Sequence, residues 1–182
     1  NTSMAINKQG EIYIWGYGYN KEPEKMKFYS KAVDIHGQLI LAEDGSVWNI
    51  SGNSPSRISG LKNIVEIASG DSYYSALDTK GQVWVWGYNG YGQLGVGDKT
   101  NRYKPTKINI ENVVDISAGY NHTLLVTKDG KIYSFGSNSY GQLGRSENTL
   151  LPKEIPNLEN IEKVSAGAYH SMAIGKDGSV YT

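Results

Sequence analysis

The sequence predicts an all-β chain folded as part of a β-propeller, and three observations predict it. A loop phrase recurs. Val85-Trp86-Gly87-Tyr88-Asn89-Gly90-Tyr91-Gly92-Gln93-Leu94-Gly95 is answered, 49 residues on, by Ser134-Phe135-Gly136-Ser137-Asn138-Ser139-Tyr140-Gly141-Gln142-Leu143-Gly144. Short apolar or alternating runs bounded by Gly, Asn and Asp fill the remainder of each repeat. No segment shows helical periodicity. Self-similarity at such a period marks a solenoid, a propeller or an array.

The repeats run approximately over residues 1–31, 32–62, 63–111, 112–160 and 161–182, the first and last incomplete, about four blades' worth in a single domain. Val65-Glu66-Ile67-Ala68-Ser69-Gly70, Val114-Asp115-Ile116-Ser117-Ala118-Gly119 and Glu162-Lys163-Val164-Ser165-Ala166-Gly167 open three of them, and turn glycines keep step at Gly10, Gly45, Gly81, Gly130 and Gly178. In the repeat beginning at Asn112, Val113 to Ala118 alternates, Thr123 to Thr127 is apolar and Lys131 to Phe135 alternates, which predicts three short strands. Lys128-Asp129-Gly130-Lys131 predicts a two-residue hairpin with positive φ at both central positions, and Asp44-Gly45 and Asp177-Gly178 repeat that chemistry. The third strand is apolar on both faces: Val83 and Val85 oppose Trp84 and Trp86, and Ile12 and Ile14 oppose Tyr13 and Trp15. Such a strand needs cover on both sides, and without helices the cover is other sheets stacked around an axis.

Ala118-Gly119-Tyr120-Asn121-His122, Asp129-Gly130, Phe135-Gly136-Ser137-Asn138 and Tyr140-Gly141-Gln142-Leu143-Gly144 together resemble the repeat of the regulator of chromosome condensation family. The resemblance covers residues 61 to 182 closely and 1 to 60 more loosely, where the Gly-Gln-Leu-Gly segment is missing. It implies a seven-bladed propeller with about 50 residues per blade. Met4 to Gly10 aligns with Met172 to Gly178, so both termini fall inside a blade and duplicate the same strands. The expectation is a part of a larger propeller, with self-association of open blade edges as the runner-up.

Lys+Arg and Asp+Glu both number 18, leaving none of the basic excess that phosphate binding requires. A nucleic-acid partner and membrane insertion are therefore not expected; no apolar run approaches the roughly 18 residues of a bilayer span. Cysteine is absent, which excludes disulfides, thiolate metal sites and a cysteine nucleophile. Lys, Asn and Ile richness without Cys suits a bacterial exported or cell-surface protein.

Loops separated by two antiparallel strands return to one end of a sheet, so the Ala-Gly-x-x-His loop and the Gly-Tyr-Asn-Gly-Tyr loop share a face. That face collects the expected partner-binding residues Tyr73, Tyr74, Tyr88, Asn89, Tyr91, Tyr120, Asn121, Asn138, Tyr140 and Tyr169, with Asp71. The opposite end collects Lys80, Lys128, Asp129, Lys176 and Asp177. Tyr gives contact area at low rotamer cost, and Gly, Ser and Asn give adaptable polar contacts, the make-up of a binding surface. The bland alternative is that each tyrosine braces its loop against the neighbouring blade.

Other motifs carry less. Gly90-Tyr91-Gly92-Gln93-Leu94-Gly95 has dinucleotide-fingerprint spacing, but no helix start follows, and the glycines read as positive-φ turn residues. His122 and His170 share a position that Tyr73 fills in the preceding repeat, an exchange no metal ligand tolerates, so hydrogen bonding within the loop is expected and neither metal nor cofactor. His36 has no assignment. Asn1-Thr2-Ser3, Asn49-Ile50-Ser51 and Asn121-His122-Thr123 have the form of glycosylation acceptors, the first and third where the repeat already demands those residues. A catalytic constellation would be unique among repeats, and none is. The expected function is a non-catalytic scaffold docking a protein on the Tyr/Asn face. The resemblance extends this to regulation or inhibition of the partner, as in exchange factors for small GTPases and inhibitors of secreted enzymes. A propeller lyase or hydrolase with its site elsewhere, or a structural surface array, is the alternative.

Overall fold

The computed structural model describes residues 2–51 and 54–182; the glycosylation-type Asn1 lies outside them. Among the described residues five antiparallel sheets follow one another along the chain. The first holds β1 (Thr2–Ile6), β2 (Ile12–Gly16) and β3 (Glu24–Lys25), and the second β4 (Ala32–His36), β5 (Leu39–Ala42), β6 (Val47–Ser51) and β7 (Ser54–Arg57). The third holds β8 (Ile64–Ser69), β9 (Tyr73–Asp78), β10 (Val83–Gly87) and β11 (Arg102–Lys107). The fourth holds β12 (Val113–Ala118), β13 (His122–Thr127), β14 (Ile132–Gly136) and β15 (Thr149–Glu154), and the last β16 (Ile161–Ala166), β17 (Ser171–Gly175) and β18 (Val180–Tyr181). Each sheet is ordered as a simple meander, and the first strands of successive sheets touch one another, as the inner strands of propeller blades do.

A fourth strand therefore completes the three full sheets, where the sequence suggested three. Its composition hid it: Arg102–Lys107 and Thr149–Glu154 are rich in charge and carry Pro105 and Pro152, and Ser54–Arg57 carries Pro55. Proline lacks the N–H that a central ladder needs and is tolerated only at a sheet's edge, which is where all three strands lie.

The hairpin prediction is also corrected. The Gly130 amide donates to Thr127 O and the Thr127 amide to Lys131 O, while only Gly130 among the turn residues has positive φ, at 81°. This is a three-residue loop, a type I turn followed by a left-handed glycine, rather than the mirror-image two-residue turn. The glycine is required twice over, because a Cβ there would lie 2.9 Å from Asn160 Cα in the next blade. At this close approach Ile161 N donates to Gly130 O, stitching blade to blade, while Lys176 N donates to Asn160 O within the last blade.

The core lies between sheets. Ala68, Leu77, Val83, Val85 and Leu94 of the third blade meet Val113, Ile116, Leu125 and Phe135 of the fourth, and comparable clusters fill the other gaps. All six residues of β13 are buried, since its two faces serve two different gaps. Four of the inner strands, β4, β8, β12 and β16, carry a bulge, at Val33, Val65, Val114 and Glu162, that shifts the side chains after it, whereas β1 pairs with β2 in unbroken register. Glu66 and Asp115, which follow bulges, reach the next blade, where Glu66 Oε1 accepts from Ile116 N at 3.2 Å and Asp115 Oδ2 from Val164 N at 2.8 Å.

Candidate functional site

The loops at one end are built on a repeated side-chain frame. Asn89 Oδ1 accepts from Leu94 N, its Nδ2 donates to Asp98 O and Thr100 O, and Gln93 Oε1 accepts from Tyr91 N. One repeat on, Asn138 Oδ1 accepts from Leu143 N, its Nδ2 donates to Arg145 O, and Gln142 Oε1 accepts from Tyr140 N. Leu94 and Leu143 are pulled into the core, and Tyr91 and Tyr140 are left at the loop tips. The repeated Gly-Gln-Leu-Gly phrase is thus a loop clamp. The left-handed Gly92 and Gly95 fit the sequence reading; Gly90 is not left-handed, and its missing Cβ instead makes room for the Tyr88 hydroxyl.

A second repeated unit joins blades. The Tyr73 hydroxyl donates to His122 O in the next blade and lies 3.1 Å from Thr123 Oγ1, which donates to Gln93 O. His122 then stands in the place of Tyr73: its Nε2 lies 3.0 Å from Ser171 Oγ, which donates to Gln142 O. Because Ser171 spends its only proton on that carbonyl, His122 is assigned the Nε2–H tautomer. Burial lowers the His122 pKa to about 4, so the ring is neutral at physiological pH. Its side-chain bond crosses to the next blade, not within its own loop as the sequence suggested. His36, unassigned from sequence, likewise reaches the next blade, with Nδ1 3.1 Å from Ser69 N.

These geometries divide the expected binding residues. Tyr73 is 0% exposed and its hydroxyl is spent inside the fold, and Asn89 is equally buried, so both are corrected from binding residues to framework. Asn138 is half-buried in the same framework role, and Asn121 is held through Oδ1 by Gln93 Nε2. Tyr74 stacks on Trp86 with centroids 5.6 Å apart and donates to Gln38 Oε1, a brace of the kind the bland alternative describes. Tyr88, Tyr91, Tyr120, Tyr140 and Tyr169 remain exposed, at 39, 48, 42, 72 and 49%. They form two groups: Tyr88 with Tyr91, edge to face at 6.2 Å, and Tyr169 between Tyr120 at 5.4 Å and Tyr140 at 5.1 Å.

Asp71, Ser72, Tyr88, Tyr91, Tyr120 and Asn121 enclose an open cup of about 410 Å³ between the third and fourth blades. The Asp71 carboxylate beside the Tyr120 hydroxyl raises that phenol's pKa. Asp71, noted in the sequence only as a neighbour of the tyrosines, had one distinguishing signal: its equivalents in the next repeats are Tyr120 and Ala168. A larger cleft of about 420 Å³ lies between the fourth and last blades, lined by Leu124, Ile132, Ile155, Tyr169, His170 and Met172 among others. Among the described residues no three His, Asp or Glu side chains are grouped to hold a metal ion.

Meandering sheets packed face to face, inner strands converging and loops clamped by an Asn-Gln frame, define a segment of a β-propeller. The description of the regulator of chromosome condensation (RCC1) repeat matches residues 80–126 and 129–174, and a second description of that repeat matches 64–93 and 113–142. The chain belongs to the RCC1 repeat family. It is 32% identical over 108 residues to the human E3 ubiquitin-protein ligase HERC2, covering 59% of this chain and 2% of that protein. The structure of Prp20p from Saccharomyces cerevisiae, a protein that binds Gsp1p and histones, superposes with a TM-score of 0.88 at 25% identity, over 100% of this chain and 55% of that one. Human WBSCR16 has the same fold, with a TM-score of 0.83 at 23% identity, over 97% of this chain and 56% of its own. The chain thus spans about half of these solved propellers and a small part of the ligase.

Proposed function

We propose that this chain is a non-catalytic protein-docking segment of a propeller, and that its partner seats on the exposed tyrosines of the loop face. The observation that carries the reading is the five-tyrosine surface of Tyr88, Tyr91, Tyr120, Tyr140 and Tyr169. Each of the five residues keeps between 39 and 72% of its surface exposed, and the loops of Tyr88, Tyr91 and Tyr140 are held by the Asn-Gln frame, while Tyr120 is tied to the next blade through its backbone N–H on Ala168 O. A rigid support lowers the entropy lost when aromatic anchors are covered, which is how a few side chains come to dominate an interface. The binding of Gsp1p and histones by Prp20p supports a docking role for a related propeller. Regulation or inhibition of the bound partner is the outcome such docking would have.

The test is site-specific photo-crosslinking in extract of the source cells. A benzophenone side chain at Tyr140, the most exposed of the five, should give a discrete adduct with another protein, and one at Lys128, on the hairpin end, should not. Adducts from Lys128 alone would move the interface to the opposite face.

A further inference from the structure

The cup between the third and fourth blades combines residues that the next repeat does not reproduce. Its tyrosines come from two loops. Tyr91 has an equivalent in Tyr140, but Tyr88 is replaced by Ser137 and Asp71 by Tyr120 and Ala168 one and two repeats on. A residue needed only to brace a loop would recur with the loop, as Asn89 and Asn138 do. At the position of Asp71 the next two repeats carry no carboxylate.

Charge sharpens the point. Asp71 is exposed and belongs to none of the ion pairs among the described residues. No Lys or Arg lines the cup, and Arg102, at the start of β11, is committed to Asp98 at 2.7 Å. The cup therefore presents one unneutralised carboxylate beside the rings of Tyr88, Tyr91 and Tyr120. An aromatic face attracts a cation through its quadrupole, and a carboxylate accepts two parallel N–H bonds from a guanidinium. Arginine satisfies both at once, since its planar group stacks on a ring while its edge pairs with the carboxylate.

We infer that the Asp71–Tyr88–Tyr91–Tyr120 cup is a subsite for an arginine side chain of the docked partner. The inference rests on the docking reading above and specifies its chemistry. The rings stack on the guanidinium, and the Asp71 carboxylate supplies its counter-charge.

The test is an NMR titration of the isotope-labelled chain with acetyl-Gly-Gly-Arg-Gly-Gly-amide, and in parallel with the same peptide carrying citrulline, a neutral near-isostere. The arginine peptide should perturb the resonances of Tyr88, Tyr91 and Tyr120, and citrulline should bind about ten-fold more weakly. Asp71→Asn, an exposed and isosteric change, should weaken arginine binding by a similar factor while leaving the spectrum of the free chain native. Equal binding of both peptides, no perturbation at the cup, or undiminished binding by Asp71→Asn would overturn the inference. A natural partner lost on Tyr88, Tyr91 and Tyr140 replacement but kept at full affinity by Asp71→Asn would also overturn it, with the docking face left standing.

Discussion

Tyr73 donates its phenol to the carbonyl of His122, and His122, one repeat further on, turns its own ring onto Ser171 of the following blade. One position in the repeat thus serves as a latch to the next blade, whether an aromatic phenol or an imidazole fills it. Tyr73→Phe keeps the ring in its buried site and leaves the carbonyls of Gly119 and His122 without that donor. The expected loss is about 1–3 kcal/mol in urea unfolding, whereas Tyr88→Phe on the open face should change stability by less than about 0.5 kcal/mol.

The latch at His122 is sensitive to acid. Burial holds its pKa at about 4 against an ordinary 6.5, so below pH 6.5 the unfolded chain takes up a proton that the folded chain resists. The stability this group contributes is present above pH 6.5 and is lost as pH falls through 4. His122→Tyr copies the residue at the equivalent place in the preceding repeat. It should keep the fold and flatten thermal stability between pH 6.5 and 4 relative to the wild type.

Glu66 works in the opposite sense. Burial first, and the charge of Asp115 second, push its pKa from 4.5 to about 7, although Ile116 N and the Lys163 charge pull it down and Asp34 adds to the rise. A raised folded pKa favours folding at acid pH, so stability falls as pH rises from about 4.5 to 7. Glu66→Gln should gain on the order of 1–2 kcal/mol at pH 8 and nothing at pH 4, measured by denaturant unfolding at each pH. Asp115, also raised by burial, leaves a shallower slope of the same sign in the variant.

Gly95 closes the loop clamp at φ 65°, and a Cβ there would come 2.7 Å from the Phe135 ring. Gly18 has a comparable φ of 83° but open space around it. Gly95→Ala should cost about 2–4 kcal/mol through backbone strain and core overpacking together, and Gly18→Ala about 1–2 kcal/mol through strain alone, in paired melting curves.

The blade architecture was legible because the Asp-Gly turns and the Gly-Gln-Leu-Gly phrase recur in register, and a repeat that cannot bury its own faces must stack. The outer strand was not, since its prolines and charges resemble a loop and only edge position explains them. The turn type was misread because Asp-Gly serves both a mirror-image turn and a type I turn with a left-handed glycine, and the choice depends on the next blade pressing against Gly130. Within the candidate site, parity placed the tyrosines on one end, but it could not separate Tyr73 from Tyr88. Both lie in or beside Gly-rich loops, and only the contact across the gap shows that one is a latch and the other is exposed. The exchange of Tyr73 for His122 between repeats was the available clue, since a shared interior partner tolerates either ring where a specific surface does not demand one.

On the proposed docking role, the exposed tyrosines seat a partner and do not brace the loops. Capture from source extract with the wild-type chain and with a variant carrying Tyr88→Ala, Tyr91→Ala and Tyr140→Ala, alongside circular dichroism of both, tests it most directly. The expected result is a folded variant and a partner held at least ten-fold more weakly, the loss that follows when interface hot spots are removed. An unfolded variant, or a folded one that holds the same partner as tightly as the wild type, would contradict it.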